Sequence, residues 1–257
     1  MNGAEKILIC SDLDGTLLSS DSKLSDENRR AIKEFVQGGG KFCLATGRLP
    51  NHLLKYFDKS EFSCPVICCN GACIYDFAND KILFKCLLGD KIYQVMEYIS
   101  HNKAHLQYAY YFADLKKYDI DLDKIADSQV ENAYKIVLVM DTPDSAVELR
   151  DNLKKHFGTD YDFSRSWPVG VEILNANATK GKTVKRMKDI LGDGRITICV
   201  GDNENDISMI KSADIGCAVE NAVDELKAVA DKVICSNDDH AIKYIVENIL
   251  KMFTRNG

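Results

Sequence analysis

The chain lacks any apolar run of the roughly 18 residues that suggest a membrane-spanning helix; its runs, such as Ile136–Met140, are far shorter. It also lacks a basic excess. Its 33 lysines and arginines stand against 39 acidic residues, for a formal net charge of −6. That balance argues against a dedicated nucleic-acid binder or a protein held on acidic membranes. Four prolines and the absence of repeats or low-complexity stretches argue against a solenoid or a disordered chain. No two of the ten cysteines have CxxC spacing, and the closest group, Cys68, Cys69 and Cys73, has no fourth ligand nearby. Cys10, Cys43, Cys68, Cys69 and Cys199 sit inside apolar runs, where a free thiol behaves as a small hydrophobe. A reduced, cytoplasmic setting is expected. Near the N-terminus Glu5 precedes only the short run Ile7–Cys10, unlike the basic start and longer apolar stretch of a signal peptide.

What is present is an ordinary globular composition, 46% hydrophobic and 28% charged over 257 residues. Short apolar runs stop at polar turns: Ile7–Cys10 before SDLDGT, Phe42–Ala45 before TGR, Val66–Cys69 before NGA, and Ile196–Val200 before GDNEND. Continuous runs of this kind suit strands covered on both faces, as in a parallel sheet. Asp26–Gln37 has helical spacing and is closed by Gly38-Gly39-Gly40. After Val200 the alternation continues with a helix near Asp206–Ser212, a strand Ile215–Val219, a helix Ala222–Ala230, a strand Lys232–Cys235 and a helix Asp239–Phe253. The expected fold is α/β, a Rossmann-like three-layer core around a mostly parallel sheet.

The middle differs. A hairpin is expected over Ala72–Tyr75 and Lys81–Phe84, then a helix Lys91–His101 and strands Leu106–Phe112 and Tyr134–Met140. A helix Pro143–Phe157 and strands Tyr161–Ser164 and Val169–Leu174 follow. This reads as an α+β insert, residues 84–176, dividing a core of residues 1–83 and 177–257.

Ligands of open α/β sheets bind beyond the carboxyl ends of the strands. The residues there are Asp12 and Asp14, Thr46, Asn70 and Gly71, and Asp202, Asn205 and Asp206. Carboxylates 4 Å apart repel by about 4 kcal/mol per pair at an effective dielectric near 20, so a cation is required. Hard oxygen donors without imidazole or thiolate favour Mg²⁺, and Lys180 is the protein cation best placed to assist. An aspartate before a helix or in a turn is commonplace taken singly; their joint position at strand ends is what points to chemistry.

DLDGTLL (12–18), ATGR (45–48), NGA (70–72), TKG (179–181) and GDNENDISMI (201–210) resemble the motifs of the haloacid dehalogenase-like hydrolases, in the Cof-like branch that carries a large α/β cap. SADIGCAVENA (212–222) resembles a downstream segment of the same family. The resemblance implies a phosphatase for small phosphate monoesters, sugar phosphates or similar metabolites, acting through an aspartyl-phosphate. It assigns Asp12 as nucleophile, Asp14 as acid and base, and Thr46 and Lys180 as partners of the phosphoryl group. Mg²⁺ is expected on Asp12, the Asp14 backbone carbonyl and Asp202, with Asp206 behind them. Gly15, Gly47, Arg48, Asn70, Gly71 and Asn205 are expected around phosphate and substrate, and the insert is expected to close over the site. Trp167, in a turn of the insert, and Arg165 are candidates for touching the leaving group. No macromolecular partner is implied.

Two departures stand out. Asp239-His240 replaces the usual Asp-Gly, which puts a tight turn in question, and Glu204 adds a negative charge that is expected to face solvent. Tyr108, Tyr110, Tyr111 and Phe112 are expected to serve the core of the insert. Gly181-Lys182-Thr183 could end a Walker A loop, but the glycine required five positions earlier is Ala176. A phosphoaspartate signalling module would gain nothing from an acid such as Asp14 beside the phosphorylated residue. A phosphomutase or phosphotransferase that delivers the phosphoryl group to another hydroxyl is the nearest alternative.

Overall fold

The computed structural model describes residues 4–192 and 194–250. Strand β1, Ile7–Ser11, is buried along its whole length and lies inside a five-stranded parallel sheet. The order is β13 (Lys232–Val233), β12 (Ile215–Ala218), β11 (Ile196–Gly201), β1 and β2 (Lys41–Leu44). Register sets Cys10 beside both Cys43 and Cys199, so three small apolar thiols form a row across the sheet centre. All ten cysteines are free. Burial pushes up the thiols of Cys68 and Cys69, and that of Cys73 to about 12, which keeps them protonated at neutral pH.

Helix α1, Asp26–Gln37, begins where the Ser25 hydroxyl accepts the Asn28 N–H at 3.2 Å and ends at Gly38. It buries Ala31, Ile32 and Phe35 against the sheet core. The run Val66–Cys69 is expected as another parallel strand, and the observed strand is β3 (Val66–Cys68). It lies beside β2, joined by the isolated parallel bridge between Ala45, just past β2, and Ile67. Its main pairing is antiparallel, with β4 (Cys73–Asp76), which pairs in turn with β5 (Lys81–Lys85). Positive φ at Cys69, Asn70 and Gly71 folds the chain back too tightly for a helical crossover.

The insert carries a second, antiparallel sheet in the order β7 (Lys116–Asp119), β6 (Leu106–Ala113), β8 (Lys135–Met140), β10 (Gly170–Asn175), β9 (Tyr161–Trp167). Alternation sorts its side chains. Tyr111, Ile136, Leu138, Val171 and Ile173 form a separate hydrophobic cluster with helices α3 (Ile92–His101) and α4 (Pro143–Phe157). Tyr110, Phe112, Lys135, Val137 and Glu172 point the other way, toward the carboxyl ends of the parallel strands. Tyr111 therefore serves the core of the insert as expected, Tyr110 and Phe112 do not, and Tyr108 is 69% exposed.

Several elements differ in extent from the sequence expectation. Trp167 ends β9, paired with Gly170, rather than sitting in a turn. The helix expected over Ala222–Ala230 is the short α7 (Asp224–Lys227), whereas α5 (Lys180–Leu191) and α6 (Ile207–Ser212) pack together near the site. The last helix starts with Ala241–Tyr244 (α8) and runs on through Ile249; residues 251–253 of the expected helix lie outside the described residues. The turn before it forms without glycine: His240 adopts φ 62°, and its Nδ1 lies 3.0 Å from the Ser25 hydroxyl. Histidine tolerates this left-handed position at a modest cost.

Candidate active site

Asp12 leaves β1 in extended conformation, its N–H donating to the Val200 carbonyl of β11 at 3.0 Å. The chain then makes a wide turn over residues 13–17, closed by the Leu18 N–H on the Leu13 carbonyl at 2.9 Å. Gly15 holds φ 75° in that turn, and a Cβ there would lie 2.5 Å from Asp202 Oδ2, so only glycine lets the two loops meet. Thr16 donates its hydroxyl to Asp202 Oδ1 at 2.9 Å, a link that the sequence alone did not reveal.

The opposite loop follows β11. Asp206 Oδ2 accepts the N–H groups of Asp202 and Asn203 at 3.0 and 3.2 Å, which curls the loop around its own carboxylate. Lys180, the first residue of α5, is fully buried and donates to Asp12 Oδ1 and Asp206 Oδ1, each at 2.6 Å. Burial works against the ammonium charge, but the two carboxylates outweigh it and raise the Lys180 pKa above its ordinary value. Burial, then the charges of Asp206 and Asp202, push the Asp12 carboxyl well up against the pull of Lys180. Burial and the Asp206 charge push Asp202 up to about 7. Asp12, Asp202 and Asp206 each offer an oxygen within 4.8 Å of the others. Three hard carboxylates, two of them sharing one ammonium, are a donor set that suits a divalent cation of the Mg²⁺ type.

The carboxylate of Asp14 does not join this cluster. It is 49% exposed and is gripped by the Arg48 guanidinium, Nε to Oδ2 at 2.8 Å and Nη2 to Oδ1 at 2.6 Å. Both residues line the same cavity as Asp12, Gly47, Asn205 and Trp167. Thr46 is buried, its hydroxyl oxygen accepting the Arg48 N–H at 3.1 Å. Asn70 is spent on the insert: its amide donates to Glu172 Oε2 and, at 3.4 Å, to Ser166, while its Oδ1 accepts an Asn205 N–H at 3.1 Å. Gly71, at φ 107°, packs where a Cβ would lie 2.4 Å from the Ala178 carbonyl, and its own carbonyl accepts the Thr183 hydroxyl at 2.7 Å. It seats α5 rather than facing the cavity.

Glu204 does not face solvent. Its side chain is 8% exposed and bridges to the insert, accepting from Arg150 Nη1 at 2.6 Å and Arg165 Nε at 2.8 Å. Burial pushes its carboxyl up, but the two guanidinium groups prevail and hold it below its usual range. Arg165 is thereby committed to Glu204. Lys135 and Glu172 also escaped the sequence reading; the available signal was a charged residue inside each of two apolar strand runs.

The family model of the haloacid dehalogenase-like hydrolases matches residues 9–246. The chain is 28% identical, over 94% of its length and 97% of the relative's, to the 5-amino-6-(5-phospho-D-ribitylamino)uracil phosphatase YwtE of Bacillus subtilis. It is 25% identical, over 93% and 97%, to the pyridoxal phosphate phosphatase YbhA of Escherichia coli. Among solved structures, a haloacid dehalogenase-like hydrolase from B. subtilis superposes with a TM-score of 0.81 at 23% identity, covering 94% of this chain and 99% of that one.

Proposed function

The chain belongs to the haloacid dehalogenase-like hydrolases as a phosphoric monoester hydrolase, and from that premise we propose that it hydrolyses small phosphorylated metabolites, sugar phosphates or comparably polar esters, with Asp12 carrying the phosphoryl group between two steps. The observation that carries this reading is Asp12 itself: a carboxylate held by buried Lys180 within an acidic cluster, lining a cavity. The cavity, about 250 Å³, lies just below the roughly 300–1,000 Å³ usual for ligand sites, a size for a small metabolite.

In the first step an Asp12 oxygen attacks phosphorus, the bond to the leaving oxygen breaks, and Asp14 gives that oxygen a proton. In the second, Asp14 takes a proton from water as the water oxygen attacks phosphorus and the Asp12–phosphorus bond breaks. Asp14 must therefore exchange its Arg48 partner for substrate or water. Thr46 keeps its hydroxyl hydrogen for a phosphoryl oxygen because its oxygen already accepts from Arg48. Lys180 offsets the charge that gathers on Asp12 and the transferring group. Asp12 and Asp202, the Asp14 backbone carbonyl and, behind them, Asp206 would hold Mg²⁺, which supplies further neutralisation of the phosphoryl charge.

The insert, residues 84–176, acts in this reading as a cap that excludes water and chooses the leaving group over a core of residues 1–83 and 177–257. Ten free thiols suit a reducing, cytoplasmic setting. No helix among the described residues is long and apolar enough to cross a membrane. Asp12→Asn tests the proposal: turnover of every phosphate ester is expected to vanish while the circular dichroism spectrum stays native. Retention of about a tenth of the rate, a barrier increase of only ~1.4 kcal/mol, would overturn covalent catalysis by Asp12.

A further inference from the structure

The cavity wall supplied by the antiparallel sheet holds a charged pair that the proposed chemistry does not use. Lys135 on β8 and Glu172 on β10 are 3% and 2% exposed, and Lys135 Nζ donates to Glu172 Oε1 at 2.8 Å. Burying an ion pair is expensive, and apolar residues of similar volume often serve stability as well or better. On the opposite face of the same strands the sheet does use apolar residues, Ile136, Leu138, Val171 and Ile173. The pair is also incompletely satisfied by the protein. Among the described residues Lys135 has Glu172 as its hydrogen-bond partner, which leaves two of its three N–H groups to spare. Glu172 receives Lys135 and Asn70, which leaves lone pairs on both oxygens. Beside them the cavity wall is aromatic: the Phe112 ring centroid lies 5.2 Å from Lys135 Nζ, and Tyr110 and Trp167 extend it.

We infer that Lys135 and Glu172 select the leaving group, and that they favour an uncharged one bearing neighbouring hydroxyls, the phosphate monoesters of sugars and polyols. This rests on the phosphatase reading above and adds to it the residues that choose the substrate. A hydroxyl both donates and accepts, so two adjacent hydroxyls can take the spare Lys135 N–H and supply Glu172 with a donor, while the aromatic wall covers the carbon face. A carboxylate on the leaving group would meet Glu172 and Asp202 as like charges. A purely apolar leaving group would enclose the pair with its spare groups unmet.

The test compares the full chain with Lys135→Met, Glu172→Gln and the double variant, each with Mg²⁺, on a hexose 6-phosphate, 2-phosphoglycolate and 4-nitrophenyl phosphate. The double variant is neutral and nearly isosteric, so it carries the comparison if a single variant leaves a buried charge unpaired and fails to fold. The readout is the ratio of kcat/KM values between substrates, which a loss of general stability does not move. The hexose phosphate to nitrophenyl phosphate ratio should fall about tenfold in each folded variant, the loss of a hydrogen bond to a charged group. Glu172→Gln, which leaves Lys135 uncompensated, should also raise the 2-phosphoglycolate to hexose phosphate ratio. Ratios within about twofold of the unaltered chain, under ~0.4 kcal/mol, would overturn the assignment, as would an unaltered chain that prefers 2-phosphoglycolate. An unaltered chain that hydrolyses none of the three esters would overturn the phosphatase reading itself.

Discussion

Lys180 shows how much one side chain can be asked to do. Its ammonium lies 2.6 Å from an oxygen of Asp12 and of Asp206 and has no exposed surface, so it is both a charge partner in the proposed chemistry and the cation that makes the acidic cluster tolerable. Replacing it by methionine keeps the volume but leaves buried carboxylates uncompensated. Lys180→Met should therefore lose about 3–5 kcal/mol in urea unfolding as well as turnover. A variant that is inactive but as stable as the original chain would refute the structural half of that role. His240 is a quieter residue-scale case. It holds φ 62°, where an L side chain is strained, and its ring meets the Ser25 hydroxyl. Substituting glycine or alanine removes that ring contact in both cases, so the difference between the two variants isolates the backbone. His240→Gly should be about 1 kcal/mol more stable than His240→Ala; equal midpoints in denaturant would show that the left-handed turn costs nothing.

At the scale of elements, the loop that carries Asp202 and Asp206 also carries Glu204, and through it is tied to α4 and β9. The loop of the acidic cluster and the insert are thus held together by charge-assisted bonds. Glu204→Gln should cost about 1.5–3 kcal/mol if both guanidinium contacts weaken, and faster hydrogen exchange in α4 and β9 should accompany it. The sign of the pH dependence follows from the lowered Glu204 pKa. The stabilisation is fully present above the ordinary glutamate value of ~4.3 and is lost as pH falls through the lower folded value. The stability gap between Glu204→Gln and the original chain should therefore close as the solution is acidified below that range; a gap independent of pH would refute the ion-pair origin. This tie also marks the limit of what the sequence discloses. Helices α1 and α4 are legible because helical spacing closed by Gly38, and a start at Pro143, are local signals. The strand-end carboxylates are legible because they sit beside recognisable strands. The partners of Glu204 are Arg150 and Arg165, far away in sequence and set by how the insert rests on the core. Likewise, alternation along β6 shows that Tyr110 and Tyr111 face opposite ways, but not which face meets the cavity. Elements as short as α7, β7 and β13 depend on neighbours more than on their own propensity.

Across the whole molecule, the apolar clusters among the described residues are two: one around the parallel sheet, which Tyr134 and Leu174 of the insert join, and one between the antiparallel sheet and helices α3 and α4. Contacts between the units include hydrogen bonds and ion pairs: Glu204 with two arginines, Asn203 with the Ser166 carbonyl at 3.2 Å, and Asn70 with Glu172. Polar ties with only a narrow apolar seam at Tyr134 and Leu174 transmit less cooperativity than a fully shared core, so the two units should unfold as distinguishable steps. The Asp12, Asp202 and Asp206 cluster belongs to the first unit alone. A cation bound there stabilises only the state that holds the cluster together, by about 2.7 kcal/mol at a hundred times its dissociation constant. The single tryptophan, Trp167, sits in β9 and reports on the second unit. Mg²⁺ should therefore raise the main circular-dichroism transition and move the Trp167 fluorescence transition less. The size of the shift should also depend on pH. With Asp202 pushed up to about 7, a proton competes with the cation below that pH and leaves when the cation binds. The Mg²⁺-induced shift should be larger at pH 8 than at pH 6, and calorimetry near pH 7 should detect proton release on binding. Both transitions moving together at every Mg²⁺ concentration would instead mean that the polar ties weld the two units into one cooperative body.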